Sequence, residues 1–345
     1  KFYVWSKHEI DQHLGVDAEI FAGAYDVSEH GNWEGVNILN RSQTTESQTE
    51  DQEAILEKSR TILLKERAKR TPPGWDDKIL TDWNGLAIYS LAQAGAIFDR
   101  PDWKTAAINA FEFIQSSLSD GNRLFHNWRN AQRGDMATLE DYAFMIRAAI
   151  KLYETTSADH YITQAENWID ALNEYYLDPN DGGYFYTASD AENLIIRRKT
   201  ASDNATPSGN GILAEALARL YFLTGNDKHR QSTEKIITAF SGDIAKNFFP
   251  LAALLNASDA LMNTIQIVII GNRSDSGTQG LLTAAYQIYS PLHLINVLPV
   301  DATIAVGHPA SGKKQIDGEA TAYVCVGTTC SLPLTTARDL SQALA

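Results

Sequence analysis

Cysteine is almost absent from this sequence. Of 345 residues only Cys325 and Cys330 are cysteines. Both lie near the C-terminus, so no disulfide staples the main body, and the chain reads as cytoplasmic. Their C-x4-C spacing is neither a redox C-x2-C pair nor half of a standard zinc set. No second pair completes four ligands, so a structural thiol pair at a strand end is expected, with no metal and no other cofactor. No apolar run approaches the ~20 residues of a membrane span. Positive charge is also scarce: 29 Lys and Arg stand against 43 Asp and Glu, a net charge of −14. That excess argues against nucleic acid or an anionic membrane as partner. Glycine-rich phosphate loops, a Ser-His-Asp order and metal-binding His pairs are missing as well. The start, KFYVWSKHEI, has no initiator Met, no apolar core and no small-residue cleavage site. It is not a signal peptide, and the chain reads as a piece of a longer protein.

What is present is the composition of a soluble globular protein, 44% hydrophobic and 21% charged. Ser6-Lys7-His8-Glu9 is a capping-box pattern that opens a short helix through Leu14, and a second follows over about 17–25. GNWEGVNIL (31–39) reads as a turn with a short strand, and the polar run 41–50 as a surface loop. Glu53 to Arg70 is a helix that Thr71-Pro72-Pro73-Gly74 ends.

From there buried and half-buried helices alternate. The helix at about 82–99 is apolar all round, with Leu86, Ile88, Leu91, Ala92 and Ile97 spread over its circumference. Such a helix is enclosed by others. The next, about 102–119, is apolar on one face only. The pattern recurs at about 138–156 and 158–176, and again at about 208–225 and 227–243. Inner helices that touch neighbours on both sides, and outer helices that face water, account for it as a closed double ring. The loose period of ~60 residues is longer than common solenoid repeats. Gly121–His126 and Gly182–Tyr186 place glycines before alternating aromatics and read as hairpins at the mouth of the ring. After Met262, β-branched runs at 265–270, 294–300 and 321–326, with a helix at about 278–289, predict a small α/β appendage of three strands. The expected domains are therefore 1–262 and 263–345.

FYVW (2–5), DDKILTDWNGLAI (76–88), LEDYAF (139–144), DGGYFYT (181–187), ATPSGN (205–210) and AYVCVGTTCSLPLT (322–335) resemble the thioredoxin-domain proteins related to spermatogenesis-associated protein 20. The resemblance implies an all-α (α/α)6 toroid, similar to N-acylglucosamine 2-epimerase and the six-hairpin glycosidases. It also implies a thioredoxin-like domain upstream as a partner. The toroid here would be truncated at its N-terminus, since that domain and the first ring helices would precede Lys1.

The candidate residues gather at the inner-helix starts. Asp82, Trp83 and Asn84 open the first of these helices, where free N–H groups and the helix dipole favour polar ligands. Asp82 or Thr81 as a plain cap is the alternative. Glu140, Asp141 and Tyr142 hold the matching place on the next. Adjacent helical residues point about 100° apart, so one carboxylate faces the cavity, and Asp141 is the choice. His126 and Arg129 lie in one mouth hairpin. His is the usual proton carrier near neutral pH, and the resemblance implies proton transfer by His, as in the epimerases of this toroid. Arg197-Arg198-Lys199 alternates sides along an extended segment, so that one or two of these cations, Arg198 the candidate, meet an anionic group; a solvated charge run, or ion pairs with Asp190 and Glu192, is the alternative. Asn204, Ser208 and Asn210 surround the third inner-helix start, with Ser208 a good cap. The expected activity is that of a carbohydrate-active epimerase or isomerase binding a small sugar at the mouth, with Asp141, His126 and Glu140 moving protons. A glycoside hydrolase, or a non-catalytic binding module attached to a thioredoxin-like redox domain, is the alternative. Asp82, Asp141 and Ser208 are expected to open onto one shared cavity.

Overall fold

The computed structural model describes residues 1–43, 48–192, 195–288, 290–302, 304, 308, 310–327 and 329–344. The polar run 41–50 thus falls partly outside the described residues. The chain divides into two compact units, Lys1–Asp77 and Lys78–Ala345.

The first unit is built from α1 (Lys7–Leu14), α2 (Ala18–Ala24) and α3 (Glu50–Arg67). The capping box opens α1: the Ser6 hydroxyl accepts from Glu9 N–H at 3.2 Å, and the Glu9 carboxylate accepts from Ser6 N–H at 2.8 Å. Trp5, Ile10, Phe21, Leu56 and Leu63 form its core. Arg70 lies over the Trp5 ring at 3.9 Å and donates to the Val4 carbonyl, which ties the end of this unit to its beginning.

The second unit opens with β1 (Ile79–Leu80), α4 (Thr81–Ile97) and α5 (Pro101–Ser117). The hairpin β2 (Ser119–Asp120) and β3 (Arg123–Leu124) follows, then β4 (Asn127–Arg129) and β5 (Gln132–Arg133). Next come α6 (Leu139–Thr156), α7 (His160–Tyr175), α8 (Gly209–Thr224), α9 (Asp227–Ala239), α10 (Ser241–Lys246) and α11 (Ala252–Asn263). This is the expected toroid architecture. α4, α6, α8 and α11 pack side by side as the inner layer, and α5, α7 and α9 each cover the inner helix before them. α6 and α8 are buried around nearly their whole circumference, whereas α5 buries only Ala107, Phe111 and Ile114. Small residues let the inner helices approach. A Cβ on Gly85 would lie 2.8 Å from Phe144, and one on Gly211 would lie 2.7 Å from Ala253. Trp168, Tyr142, Tyr176, Phe111 and Phe144 are fully buried between the layers, each stabilising the fold by roughly 1.5–3 kcal/mol.

Two expectations need correction. α4 is not enclosed: Leu86, Tyr89 and Leu91 are only partly buried, because within this unit α4 has an inner-layer neighbour on one side alone. And α11, an inner helix absent from the sequence reading, completes the layer beyond α8. Its segment AALLNASDALMN has Ala253, Leu254, Ala257 and Ala260 buried at helical spacing, a periodicity that was available to find it.

The α/β layer consists of β6 (Ile265–Ile270), α12 (Ser276–Tyr286), β7 (His293–Leu298), β8 (Thr321–Val326), β9 (Thr329–Cys330) and α13 (Ala337–Ala343). The strand order is β7-β6-β8-β9, with β6 and β7 parallel and the other pairs antiparallel. The fourth strand, β9, is two residues long and leaves no periodic signal. Cys325 and Cys330 face each other in register across β8 and β9 and are joined as a disulfide. The layer is tied to the helices by polar contacts: Tyr153 Oη to Asn296 Oδ1 at 3.0 Å, and Arg273 Nη1 to Ser157 Oγ at 2.9 Å. Among the described residues no helix is long and apolar enough to cross a membrane.

Candidate functional site at the inner-helix starts

Thr138 opens α6 as the N-cap, and a reciprocal capping box would need an acidic or amide side chain three residues on. Asp141 supplies it: its Oδ2 accepts from Thr138 N–H at 2.7 Å and from Thr138 Oγ1 at 3.0 Å. The same carboxylate reaches the neighbouring helix. Its Oδ1 accepts from Asp82 N–H at 2.8 Å, satisfying a free donor at the start of α4. So neither Thr81 nor Asp82 caps α4 with its side chain. Thr81 Oγ1 donates to the Phe125 carbonyl instead, and Asp82 Oδ1 accepts from the adjacent Trp83 N–H.

Glu140 points the other way, toward α8, where its Oε1 accepts from Gly209 N–H at 3.4 Å. A side chain on Gly209 would collide with Leu139 and Glu140, so the approach requires glycine there. Asp203 bridges in the same manner, accepting from Ser208 N–H and from Ala253 N–H in α11. Acidic side chains thus link the inner-helix N-termini into one row.

His126 completes the cluster. It sits between β3 and β4, held by backbone bonds on both sides: Thr81 N–H donates to its carbonyl, and its own N–H donates to Asp135 O. Its Nδ1 lies 3.0 Å from both oxygens of Asp141. A carboxylate only accepts, so Nδ1 carries the proton and the neutral ring presents a basic lone pair at Nε2. Nε2 has no hydrogen-bond partner among the described residues. The bond to Asp141, followed by its charge, raises the His126 pKa above its ordinary value. Asp141 itself is fully buried, behind a half-buried His126.

Burial also pushes the Glu140 carboxyl up to about 7, with smaller upward effects from the charges of Asp141 and Asp82. Its Oε2 is buried without a partner among the described residues. Asp82 is raised too, first by burial and then by Asp141. The carboxyl that holds a proton near neutral pH is therefore Glu140, while the favoured Asp141 is an acceptor for donors on three elements. A raised carboxyl pKa contributes stability that is complete below its unfolded value of about 4.5 and lost as the pH rises through about 7. Glu140→Gln should accordingly raise the urea unfolding free energy at pH 8, by at most about 3 kcal/mol. At pH 4 the variant should gain nothing over the wild type.

Ligand-capable atoms of Asp82, His126 and Asp141 lie within 4.8 Å of one another, the one such group among the described residues. Both Asp141 oxygens, however, already accept N–H donors, and the His nitrogen nearest them is the protonated one. The donor set fits a carboxylate–imidazole dyad better than a cation.

Several expected contacts have other duties. Tyr142 is fully buried, its hydroxyl accepting from Leu124 N–H at 2.9 Å and its ring edge-on to Tyr176. Asn210 is buried and fixes the 184–200 loop through Tyr184 N–H, Tyr184 O and Thr200 O. Ser208 is 3% exposed and its hydroxyl caps α8 through Gly211 N–H, so it does not open onto a cavity with Asp82. Asn84 donates to the Leu80 carbonyl. Asn204 is exposed on its loop, and Arg129 is exposed on β4. Asp190 pairs with Arg123, Lys199 with Asp178, and Arg197 lies on Phe185. Arg198 is exposed, and its carbonyl accepts from Tyr186 N–H. Trp83 is 62% exposed beside the dyad.

Two participants escaped the sequence reading. Thr138 has the signature T-x-x-D, an acidic variant of the capping box. Tyr186 has its pKa raised by burial and then by Glu140, but its place beside Glu140 follows from a long loop with no local signal. A cavity of about 980 Å³ lies elsewhere, between the 177–184 segment and α9.

This chain is similar to spermatogenesis-associated protein 20. The human and mouse proteins of that name are each 27% identical to it over 99% of its length. An uncharacterized protein of Caenorhabditis elegans is 24% identical over 99%. The chain spans about half the length of these relatives, 49% of the human protein. No family model matches the chain. Among solved structures, cellobiose 2-epimerase from Spirochaeta thermophila aligns over 49% of this chain and 44% of its own, at 20% identity and a TM-score of 0.42. A family 76 α-mannanase from Bacteroides thetaiotaomicron aligns over 55% and 52%, at 16% identity and a TM-score of 0.44.

Proposed function

We propose that the inner-helix starts form an acid–base site that moves protons on a small sugar, as an epimerase or isomerase. The observation that carries this reading is the His126–Asp141 dyad, with Nε2 unpartnered among the described residues, together with the carboxyl of the adjacent residue Glu140, raised to about 7. Efficient proton transfer needs groups whose pKa values lie near the working pH. In this reading His126 Nε2 removes the proton from the carbon next to the carbonyl of an open-chain sugar. Glu140 donates its proton to the carbonyl oxygen, giving a neutral enediol. Rotation of the enediol turns its other face to the His126 imidazolium, which returns the proton to give the epimer; return to the neighbouring carbon gives the isomer, and in both cases Glu140 recovers a proton from the hydroxyl that becomes the new carbonyl. Asp141 takes no proton; it holds the imidazole tautomer and stabilises the imidazolium. Exposed Trp83 supplies a flat apolar surface of the kind that stacks on a sugar ring.

The test is incubation of the full-length protein with a panel of mono- and disaccharides in D2O, followed by proton NMR. Loss of the signal of the proton next to the carbonyl, with a new sugar appearing, is the expected result. Release of reducing ends without deuterium on carbon would replace this reading with hydrolysis, and no change in any sugar would remove it.

A further inference from the structure

A second cavity, of about 560 Å³, lies at the carboxyl end of β7, between the α/β layer and the C-terminal ends of α6 and α8. None of the residues placed in the acid–base site lines it. In sheets with parallel strands, the crevice beyond the strand carboxyl ends is where small ligands settle. The volume lies in the range of small-molecule sites. We propose that this cavity binds a small organic amine, with its apolar body against Ile162, Leu223 and Leu298 and its ammonium group on Asp159.

Three observations converge. First, the cavity borders a group of buried polar side chains that the acid–base site does not use. Tyr153 Oη lies 3.0 Å from Asn296 Oδ1, and Asn296 Nδ2 lies 3.5 Å from His308 Nε2. These three residues are 7%, 2% and 5% exposed. His308 Nδ1 accepts from Ala310 N–H, so the neutral ring carries its proton on Nε2; that N–H and the Asn296 amide nitrogen are both donors and only touch. Burial lowers the His308 pKa and raises that of Tyr153, so both are uncharged at neutral pH.

Second, the described lining has one formal charge and it is negative. Asp159 is the N-cap residue of α7 but makes no side-chain cap bond, so its carboxylate is not committed to its own helix. No Lys or Arg lines the cavity among the described residues. A cation finds a counter-charge in the lining itself, whereas the nearest positive group, Arg273, stands behind the rim with its guanidinium on the Ser157 hydroxyl. Third, Ser157, at the rim, holds a left-handed backbone with φ of +61°. Its hydroxyl accepts from Arg273, whose loop follows β6. This left-handed residue is the C-cap of α6, its N–H bonded to the Tyr153 carbonyl, and with the Arg273 bond it fixes the rim.

Calorimetry on the full chain with phenethylamine and tryptamine, against their anionic counterparts phenylacetate and indole-3-acetate, tests the proposal. The amines should bind and the acids should not. Asp159→Asn should weaken amine binding at least tenfold. Thr163→Trp, a substitution at an exposed lining position that the fold tolerates, should block the mouth and abolish it. His126→Ala should leave it unchanged. Absence of heat with either amine, equal binding of the acids, or wild-type binding by both cavity variants would overturn the assignment.

Discussion

His126→Ala should slow deuterium exchange into the sugar by roughly 10²–10⁴-fold, the usual contribution of a positioned acid–base group. Substrate binding should change far less, because Trp83 and Glu140 remain. The wild-type rate should form a bell near neutral pH. It rises as His126 loses its proton above the ordinary histidine value, because Asp141 raises that pKa. It falls as Glu140 ionises at about 7. Asp141→Asn removes the charge that raises His126, so the ascending limb should move to lower pH while the maximum rate drops. A limb that stays in place would show that Asp141 does not act through the imidazole. Stability follows the same linkage. The folded pKa of His126 lies above its unfolded value, so the dyad stabilises the protein below the ordinary pKa of about 6.5 and loses that contribution as pH rises. The unfolding free energies of wild type and His126→Ala should therefore approach each other in alkaline solution.

Arg219→Met should lower the unfolding free energy by about 3–5 kcal/mol, the range for breaking a buried ion pair from one side. Arg219 is 5% exposed. It donates to Glu215 Oε1 at 2.9 Å and lies 3.7 Å from Glu154 Oε1. It also donates to the carbonyls of Pro291 and His293, joining α8 to the α/β layer. Lys151 and Arg147 complete the cluster on α6, and Arg147 lies over the Tyr89 ring at 3.9 Å. Burial drives the Glu215 pKa up, yet the charges of Arg219 and Arg147 outweigh it and hold the group below its ordinary value. The double variant Arg219→Met, Glu215→Leu should recover part of the loss, because it leaves one fewer carboxylate uncompensated. Urea titration of the two variants decides the matter. Strict additivity would mean that the two side chains are not coupled.

That cluster marks one limit of the sequence. Arg147, Lys151 and Glu154 lie along the mostly apolar body of α6, and nothing in their spacing tells a buried charge from a solvated one. Lys151 pairs with Glu154 on the same helix, but the partners of Arg147 and Glu154 across the layer, Glu215 and Arg219, come from α8, more than sixty positions away. The same holds for Tyr142 and Asn210. Both were expected as binding residues, and both point into the protein to satisfy backbone donors and acceptors of distant loops.

By itself the sequence determined what depends on periodicity and local chemistry. The alternation of inner and outer helices, the capping box at Ser6, and the β-branched runs of the C-terminal layer follow from burial and from free N–H groups at helix starts. They need no knowledge of distant contacts. Only the tertiary structure decided the roles of the two adjacent carboxylates. Glu140 and Asp141 have nearly the same local sequence context, but the 100° turn between them sends Asp141 into the gap toward α4 and His126, where N–H donors hold it as an acceptor. It sends Glu140 toward Gly209, where one weak bond and an apolar shell leave its proton in place. A pKa is set by what surrounds a group in three dimensions, and those surroundings are assembled from α4, the β3–β4 link and α8 only when the chain has folded.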